Sequence, residues 1–184
     1  PYDKNRKGIN LGEAASGLVL SNDETIFKGT YDKYISGASS NDANHISGPS
    51  RTGEGLHRSI ERTLKPAEVL SEQIGYLSAH GTGTSFNDEM ESIAFKKSGL
   101  SNVPVNSLKG YFGHTLGAAG VIEVMFGLEA MKRKQLLPSL GYEEHGVSES
   151  MNIVQEVASP NSEYFLKTAS GFGGCNAAAL FKVG

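Results

Sequence analysis

The sequence predicts an α/β fold on a mixed, mostly parallel sheet, with helices on both faces and one of them buried at the centre. Three observations carry that reading. Two strand–loop–helix units follow one another between Ile74 and Met131, and consecutive parallel strands need helical crossovers. The second helix of the pair, Leu116 to Met131, is apolar on nearly every face, whereas a surface helix shows a polar side. Two more strand-like runs, Tyr164 to Ala169 and Ala177 to Val183, close the chain around a glycine turn.

In chain order, Leu18-Val19-Leu20 and the alternating stretch Tyr31 to Ile35 read as strands joined by a polar turn near Asn22-Asp23. Ser36 to Gly53 is rich in Ser, Asn and Gly and reads as a long ordered loop. Leu56, Ile60 and Leu64 repeat at helical spacing, and Pro66 with the acidic residues after it suggests a second short helix. Ile74 to Ala79 is a strand, and Asp88 to Ser98 a helix. Acidic residues open that helix, lysines close it and Gly99 stops it, as the helix dipole favours. Val103 to Asn106 is the next strand, SLKGYFGHT a loop, and the apolar helix follows. Gly117 to Gly120 at its start allow another backbone to come close. The basic cluster Lys132-Arg133-Lys134 complements the negative end of that helix and needs no partner.

Composition narrows the function. The 184 residues are long enough for one domain with a core. A net charge of −3 argues against nucleic acid as a partner. The longest apolar run is short, charged in its middle and broken by glycine, so no membrane-spanning helix is expected. The first residues hold no signal-peptide hydrophobic region, and a single cysteine excludes an internal disulfide. Both fit a reducing, cytoplasmic setting. The 23 glycines fall in short clusters, which points to tight turns and close backbone approaches.

Reactive groups of an open parallel sheet gather in loops after the carboxyl ends of its strands. His80 and His114 hold that position in consecutive units, so both are expected to face one cleft. A lone histidine is more often structural. The Gly81-Thr82-Gly83-Thr84 that follows His80 shifts the reading, because it offers a ligand two hydroxyls and exposed amides. The lysine ending of a phosphate loop is missing. His114 lies at a helix N-terminus with Lys109 in the same loop, and both disfavour an imidazolium. A neutral imidazole can donate one hydrogen bond to a carbonyl oxygen that is gaining charge. Lys109 is then a supporting group rather than a surface lysine, and Glu91 its plausible acidic partner. The turn Gly171-Phe172-Gly173-Gly174 is either a hairpin with Phe172 as core filler, or an oxyanion-binding amide with Phe172 as a movable wall. Cys175 reads as a small buried thiol rather than a nucleophile. No GxSxG, HExxH or Cys/His metal spacing is present, so no metal is expected.

AHGTGTSFND, KGYFGHTLGAAG and GFGGCN, in this order behind PYDKNRKGINLGEAASGLVL, together resemble the second half of the β-ketoacyl-[acyl-carrier-protein] synthases, condensing enzymes of the thiolase superfamily. The resemblance runs end to end. It implies that residues 1–184 form the C-terminal thiolase-like domain, with a cysteine-bearing N-terminal half absent. It also implies a reaction. A cysteine of the first half takes an acyl chain from acyl carrier protein, malonyl-carrier protein loses carbon dioxide, and the carbanion attacks the thioester. On this resemblance His80 and His114 bind the malonyl thioester carbonyl, with Lys109 the motif lysine and Glu91 its companion. Thr82 and Thr84 hold the phosphopantetheine arm, for which the small residues leave a passage. Phe172 is the gate whose amide completes an oxyanion hole, flanked by Gly171 and Gly173 on the substrate side. Glu123 is a supporting group on the central helix.

The implied partners are acyl carrier protein, the missing half and, for the full-length protein, a homodimer or heterodimer mate. No cofactor is implied beyond the phosphopantetheine that carries the substrates. The chain departs from the pattern at Lys7 and Ala14, where Asp and Gly are common, and at Thr168-Ala169-Ser170, where Asn-Ser-Phe is usual. Cys175 falls on a variable position, so the chain lacks a nucleophile, and alone it is expected to show no condensing activity. A non-catalytic partner of the chain-length-factor kind, or a Cys175-dependent acyltransferase, are the alternatives.

Overall fold

The computed structural model describes residues 1–42, 44–46 and 48–184. Among them, β1 (Lys33–Asn41), β2 (Ile74–Ser78), β3 (Val105–Asn106), β4 (Tyr164–Gly171) and β5 (Cys175–Lys182) form one sheet in the order β1-β5-β4-β2-β3. β2 runs parallel to both β3 and β4, as the two crossover units require, while β5 is antiparallel to β4 and β1. Helices α1 (Glu54–Ala67), α2 (Ser85–Lys97), α3 (Lys109–Phe112) and α4 (Ala119–Lys132) connect them. None is long and apolar enough to cross a membrane.

Two apolar clusters lie on the two faces of the sheet. Leu56, Ile60, Met90 and Phe95 of α1 and α2 meet Leu77, Leu166 and Leu180 on one face. Val124, Leu128 and Met131 of α4 meet Tyr76, Phe165 and Phe181 on the other. Met125 and Phe126, on the side of α4 turned away from the sheet, are exposed. Two of the basic residues at its end are already paired, Lys132 with Asp32 at 2.8 Å and Arg133 with Glu129 at 2.5 Å.

Several expectations are corrected. Leu18 to Leu20 form no strand and are exposed. The short helix expected after Pro66 is reduced to a single 3-10 turn, Ser71–Gln73: α1 takes Pro66 into its own last turn, and Glu68 stops it in the left-handed conformation. A third of the expected loop at Ser36 to Gly53 is strand, since β1 continues to Asn41; Ala43 and Ser47 of that stretch lie outside the described residues. The polar composition hid this strand for a physical reason. Ser36 donates to the Thr63 carbonyl at 2.6 Å and Ser40 to that of Gly55 at 2.5 Å, while Ser59 and Thr63 of α1 donate to carbonyls of β5. Along β1 the helix therefore lies close on small hydroxylated residues, while its apolar stripe packs on the strands beyond.

α4 reaches the sheet at Gly127. A Cβ added there would come within 2.8 Å of Cε1 and Cε2 of Phe165 and nearer still to Cζ. Phe165 has little freedom to give way, because its ring is stacked between Tyr76 at 5.2 Å and Phe181 at 5.7 Å. Helix propensity alone would make Gly127→Ala stabilising by about 1 kcal/mol. Overpacking of a fixed core costs about 1–3 kcal/mol, and here it wins. Gly127→Ala is expected to lower the urea midpoint; an unchanged or raised midpoint would show that the ring can move.

Candidate active site

His80 follows β2, His114 lies in the connection after β3, and Phe172 follows β4. All three therefore leave the same edge of the sheet, at the carboxyl ends of its parallel strands. The two imidazoles meet, as the spacing predicts, with ring centres 5.0 Å apart and planes at 83°. His80 is buried and His114 half-buried.

The backbone of the His80 loop is held by four buried charged side chains. On one side Glu91 accepts the amides of His80 at 2.8 Å and Gly81 at 2.7 Å, together with the Tyr2 hydroxyl and the Asn87 amide. Asp88 accepts the amides of Thr82 at 3.0 Å, Gly83 at 3.2 Å and Tyr2 at 2.8 Å, with Arg6 beside it. On the other side the Lys109 ammonium donates to the His80 carbonyl at 2.6 Å, and the Lys167 ammonium to the carbonyls of Ser78 and Ala79, each at 3.2 Å. Both lysines close on one carboxylate, that of Glu123, at 2.6 and 2.7 Å.

This corrects the pairing expected for Lys109. Its partner is Glu123, while Glu91 is spent on the loop amides. Lys109 is not a surface lysine: its side chain is buried, and it also lies 3.3 Å from Nδ1 of His80. Cys175 is corrected too, being exposed rather than buried. It opens β5, whose alternation turns Asn176 inward and Cys175 outward, and Asn41 Nδ2 lies 3.5 Å from its sulfur.

The contacts fix both tautomers. An ammonium can only donate, so Nδ1 of His80 accepts from Lys109 and the ring proton sits on Nε2. The Leu116 amide donates to Nδ1 of His114 at 3.0 Å, leaving its proton on Nε2 as well. Leu116 reaches that position with φ of 53°, a conformation that is costly for a leucine. Burial, followed by Lys109, Lys167 and the neighbouring His114, pushes His80 well below the ordinary imidazole value. Burial, then Lys109, lowers His114 as well. Burial works against the Glu123 carboxylate, yet Lys167 and Lys109 outweigh it and hold its pKa down. The result is two neutral N–H donors, side by side.

The remaining expected residues sort as follows. Thr82 and Thr84 share a hydrogen bond between hydroxyls at 2.8 Å and are half-buried. The glycines among them serve the backbone rather than leaving a passage. Gly81 and Gly83 have φ of 44° and 75°, and a Cβ on them would press on Ser107 and on the Gly8 carbonyl. Gly171, Phe172 and Gly173 form the β4–β5 turn, and Phe172 is 85% exposed, so it is not core filler. Sequence reasoning missed Tyr2, Arg6, the loop-holding role of Asp88, and Lys167. Lys167 did leave a signal, a lysine inside the apolar run Tyr164 to Ala169. Tyr2 left none beyond the resemblance of the opening residues.

Residues 34–143 match the family described as the β-ketoacyl synthase, C-terminal domain. The chain belongs to that family. As a β-ketoacyl synthase C-terminal domain it is 33% identical over 191 residues to 3-oxoacyl-[acyl-carrier-protein] synthase 2 of Vibrio cholerae, covering 99% of this chain and 46% of that protein. It is 36% identical over 186 residues to the polyketide biosynthesis malonyl-ACP decarboxylase PksF of Bacillus subtilis, covering 99% of this chain and 44% of that one. Among solved structures, the ishigamide ketosynthase/chain length factor aligns with all of this chain and 46% of its own, at a TM-score of 0.92 and 29% identity. A β-ketoacyl synthase from Burkholderia phymatum aligns with 83% of this chain and 38% of its own, at a TM-score of 0.78 and 30% identity. The domain thus spans a little under half the length of these curated relatives, and its fold is that of the thiolase-like ketosynthases.

Glu91 offers a test of how the His80 loop is held. All four of its partners can donate, and its two oxygens receive separate backbone amides. In Glu91→Gln one of those amides must face an NH2 group whichever way the side chain is turned. Leaving such a buried donor unsatisfied costs about 1–3 kcal/mol, so a matching loss of unfolding free energy is expected in urea. Equal stability of the two proteins would show that the carboxylate is not what holds the loop.

Proposed function

We propose that this domain supplies the enolate-stabilising half of a decarboxylating 3-oxoacyl-[acyl-carrier-protein] synthase, working in fatty-acid or polyketide synthesis. The observation that carries the reading is the pair of neutral imidazoles, each with its Nε2 proton free of its own scaffold. Two such donors suit one thioester carbonyl oxygen. When the malonyl carboxylate leaves as carbon dioxide, the pair of electrons of the broken C–C bond moves into an enolate. Its oxygen becomes the anion, and the donors stabilise it without giving up a proton. The enolate carbon then attacks an acyl thioester held by the cysteine-bearing half, forming the new C–C bond and releasing the cysteine thiolate.

In this reading Lys109 orients His80 and Glu123 keeps Lys109 charged. Thr82 and Thr84 receive the phosphopantetheine arm of the carrier protein. Phe172, exposed on its turn with Gly171 and Gly173, gates the acyl side, and no other cofactor takes part. The relatives support an acyl carrier protein as substrate carrier, and a partner subunit or second copy to complete the assembly. The chain by itself is proposed to lack condensing activity, because the only cysteine it has, Cys175, lies in the turn-to-strand segment and not in a nucleophile's setting.

One observation favours a second reading, in which the chain decarboxylates without condensing: its likeness to a protein named as a malonyl-ACP decarboxylase. Both readings share the step assigned to the histidines. In a protein that joins this chain to its first half, His80→Ala is expected to slow release of carbon dioxide from malonyl-carrier protein by about 10²–10³-fold. Retained release would refute the assignment. Formation of a 3-oxoacyl product separates the synthase from the decarboxylase. Because His80 and His114 both titrate below the ordinary value of 6.5, their neutral form persists at neutral pH; acidification puts a proton on Nδ1 and breaks the bonds from Lys109 and Leu116 that orient the rings. The rate should therefore be flat near neutrality, with its acid limb below pH 6.5.

A further inference from the structure

We propose that Lys167 is a second positioning cation for the histidine pair, sharing Glu123 with Lys109 and completing a grip on three successive carbonyls, Ser78, Ala79 and His80. The inference rests on the enolate-stabilising reading for its purpose, but on geometry for its substance. Lys167 comes from β4, a different element from the α3 that carries Lys109 and the α4 that carries Glu123. Its side chain is buried, and its ammonium contacts Glu123 Oε2 at 2.7 Å, the Thr168 carbonyl at 2.6 Å and the two carbonyls that lead into His80.

β2 ends at Ser78, so the carbonyls of Ala79 and His80 lie beyond its last residue. Lys167 donates to the first and Lys109 to the second, with the Ser107 hydroxyl a longer donor to His80 at 3.3 Å. The direction in which His80 points is thereby tied to both lysines at once.

The second consequence is electrostatic. One carboxylate between two ammonium groups leaves a buried charge of +1 beside the imidazoles. A single lysine paired with Glu123 would leave none. The groups facing the pair are Lys109, Lys167 and Glu123, with Glu91 and Asp88 behind the loop. Of these, only the unbalanced cation opposes protonation of both rings, and it favours an anion forming between them. Lys167 thus keeps the rings as hydrogen-bond donors and not acids.

The test is a proton NMR titration of the imidazoles of His80 and His114 in this 184-residue chain, comparing Lys167→Met and Lys167→Arg with the parent. In Lys167→Met the titration of at least one of the two rings is expected to move up by about half a pH unit or more, since a charge at close range is removed. Lys167→Arg keeps the charge and should stay near the parent. Should the methionine variant not fold, Lys167→Gln retains a donor for the carbonyls while removing the charge, and the same upward shift is expected. Unshifted titrations in a folded, uncharged variant would overturn the proposal, as would a shift equally large in Lys167→Arg. Because this readout involves no turnover, an upward shift in a chain whose full-length protein fails to decarboxylate malonyl-carrier protein would sink the functional reading alone.

Discussion

Everything around the histidines depends on one buried carboxylate, Glu123, held between two ammonium groups on opposite sides. Taking three charges out of water is expensive, and well-packed apolar side chains would often serve stability as well. Here the ammonium groups do something that apolar side chains cannot: they donate to backbone carbonyls where the β2 ladder runs out. Remove Glu123, and two buried cations would repel each other next to the loop they hold. The triad ties α3, α4 and β4 to the loop after β2, so its geometry is set by the packing of both faces of the sheet.

The same arrangement decides what chemistry the histidine pair favours. A carboxylate hydrogen-bonded to an imidazole would raise its proton affinity and make it a base. These two rings instead take hydrogen bonds at Nδ1, from an ammonium and from a backbone amide, so neither gains basicity and both present Nε2–H. Such donors reward a step in which an oxygen becomes negative, and they do little for one that needs a proton removed. Malonyl decarboxylation is a step of the first kind.

Much of this was legible before any coordinates. The two crossover units placed His80 and His114 at one edge of the sheet, because strand–loop–helix periodicity is a local property and the edge follows from topology. Lys109 was legible as a supporting group because it shares a loop with His114. Its partner was not: Glu91 and Glu123 each lie on a helix near the site, and only the packing directs one to the amides and the other to the lysines. Lys167 was overlooked because a strand residue is read by its alternation, and a buried lysine breaks that code until its counter-charge is known. The start of β1 lay within the expected strand Tyr31 to Ile35, but its continuation to Asn41 was overlooked because hydroxyls bonded to a close helix resemble a loop in composition. Cys175 was misplaced because one residue of register at the start of β5 decides inside from outside.

The opening residues of the chain lace these parts together. Tyr2 bonds Glu91 and Asp88, Gly8 donates to the Gly83 carbonyl, and Asn10 and Gly12 bracket His114 in backbone hydrogen bonds. Asp3 meanwhile accepts the amides of Glu143 and Glu144. These bonds join residues from about 75 to about 140 positions apart. Closing loops of that length is entropically slow, and nothing rewards it until both ends are structured. On a ribosome, the histidine pair would be among the last parts to set: the strap is made before its partners and waits for them, and a half-made chain would emerge with its histidines unaligned.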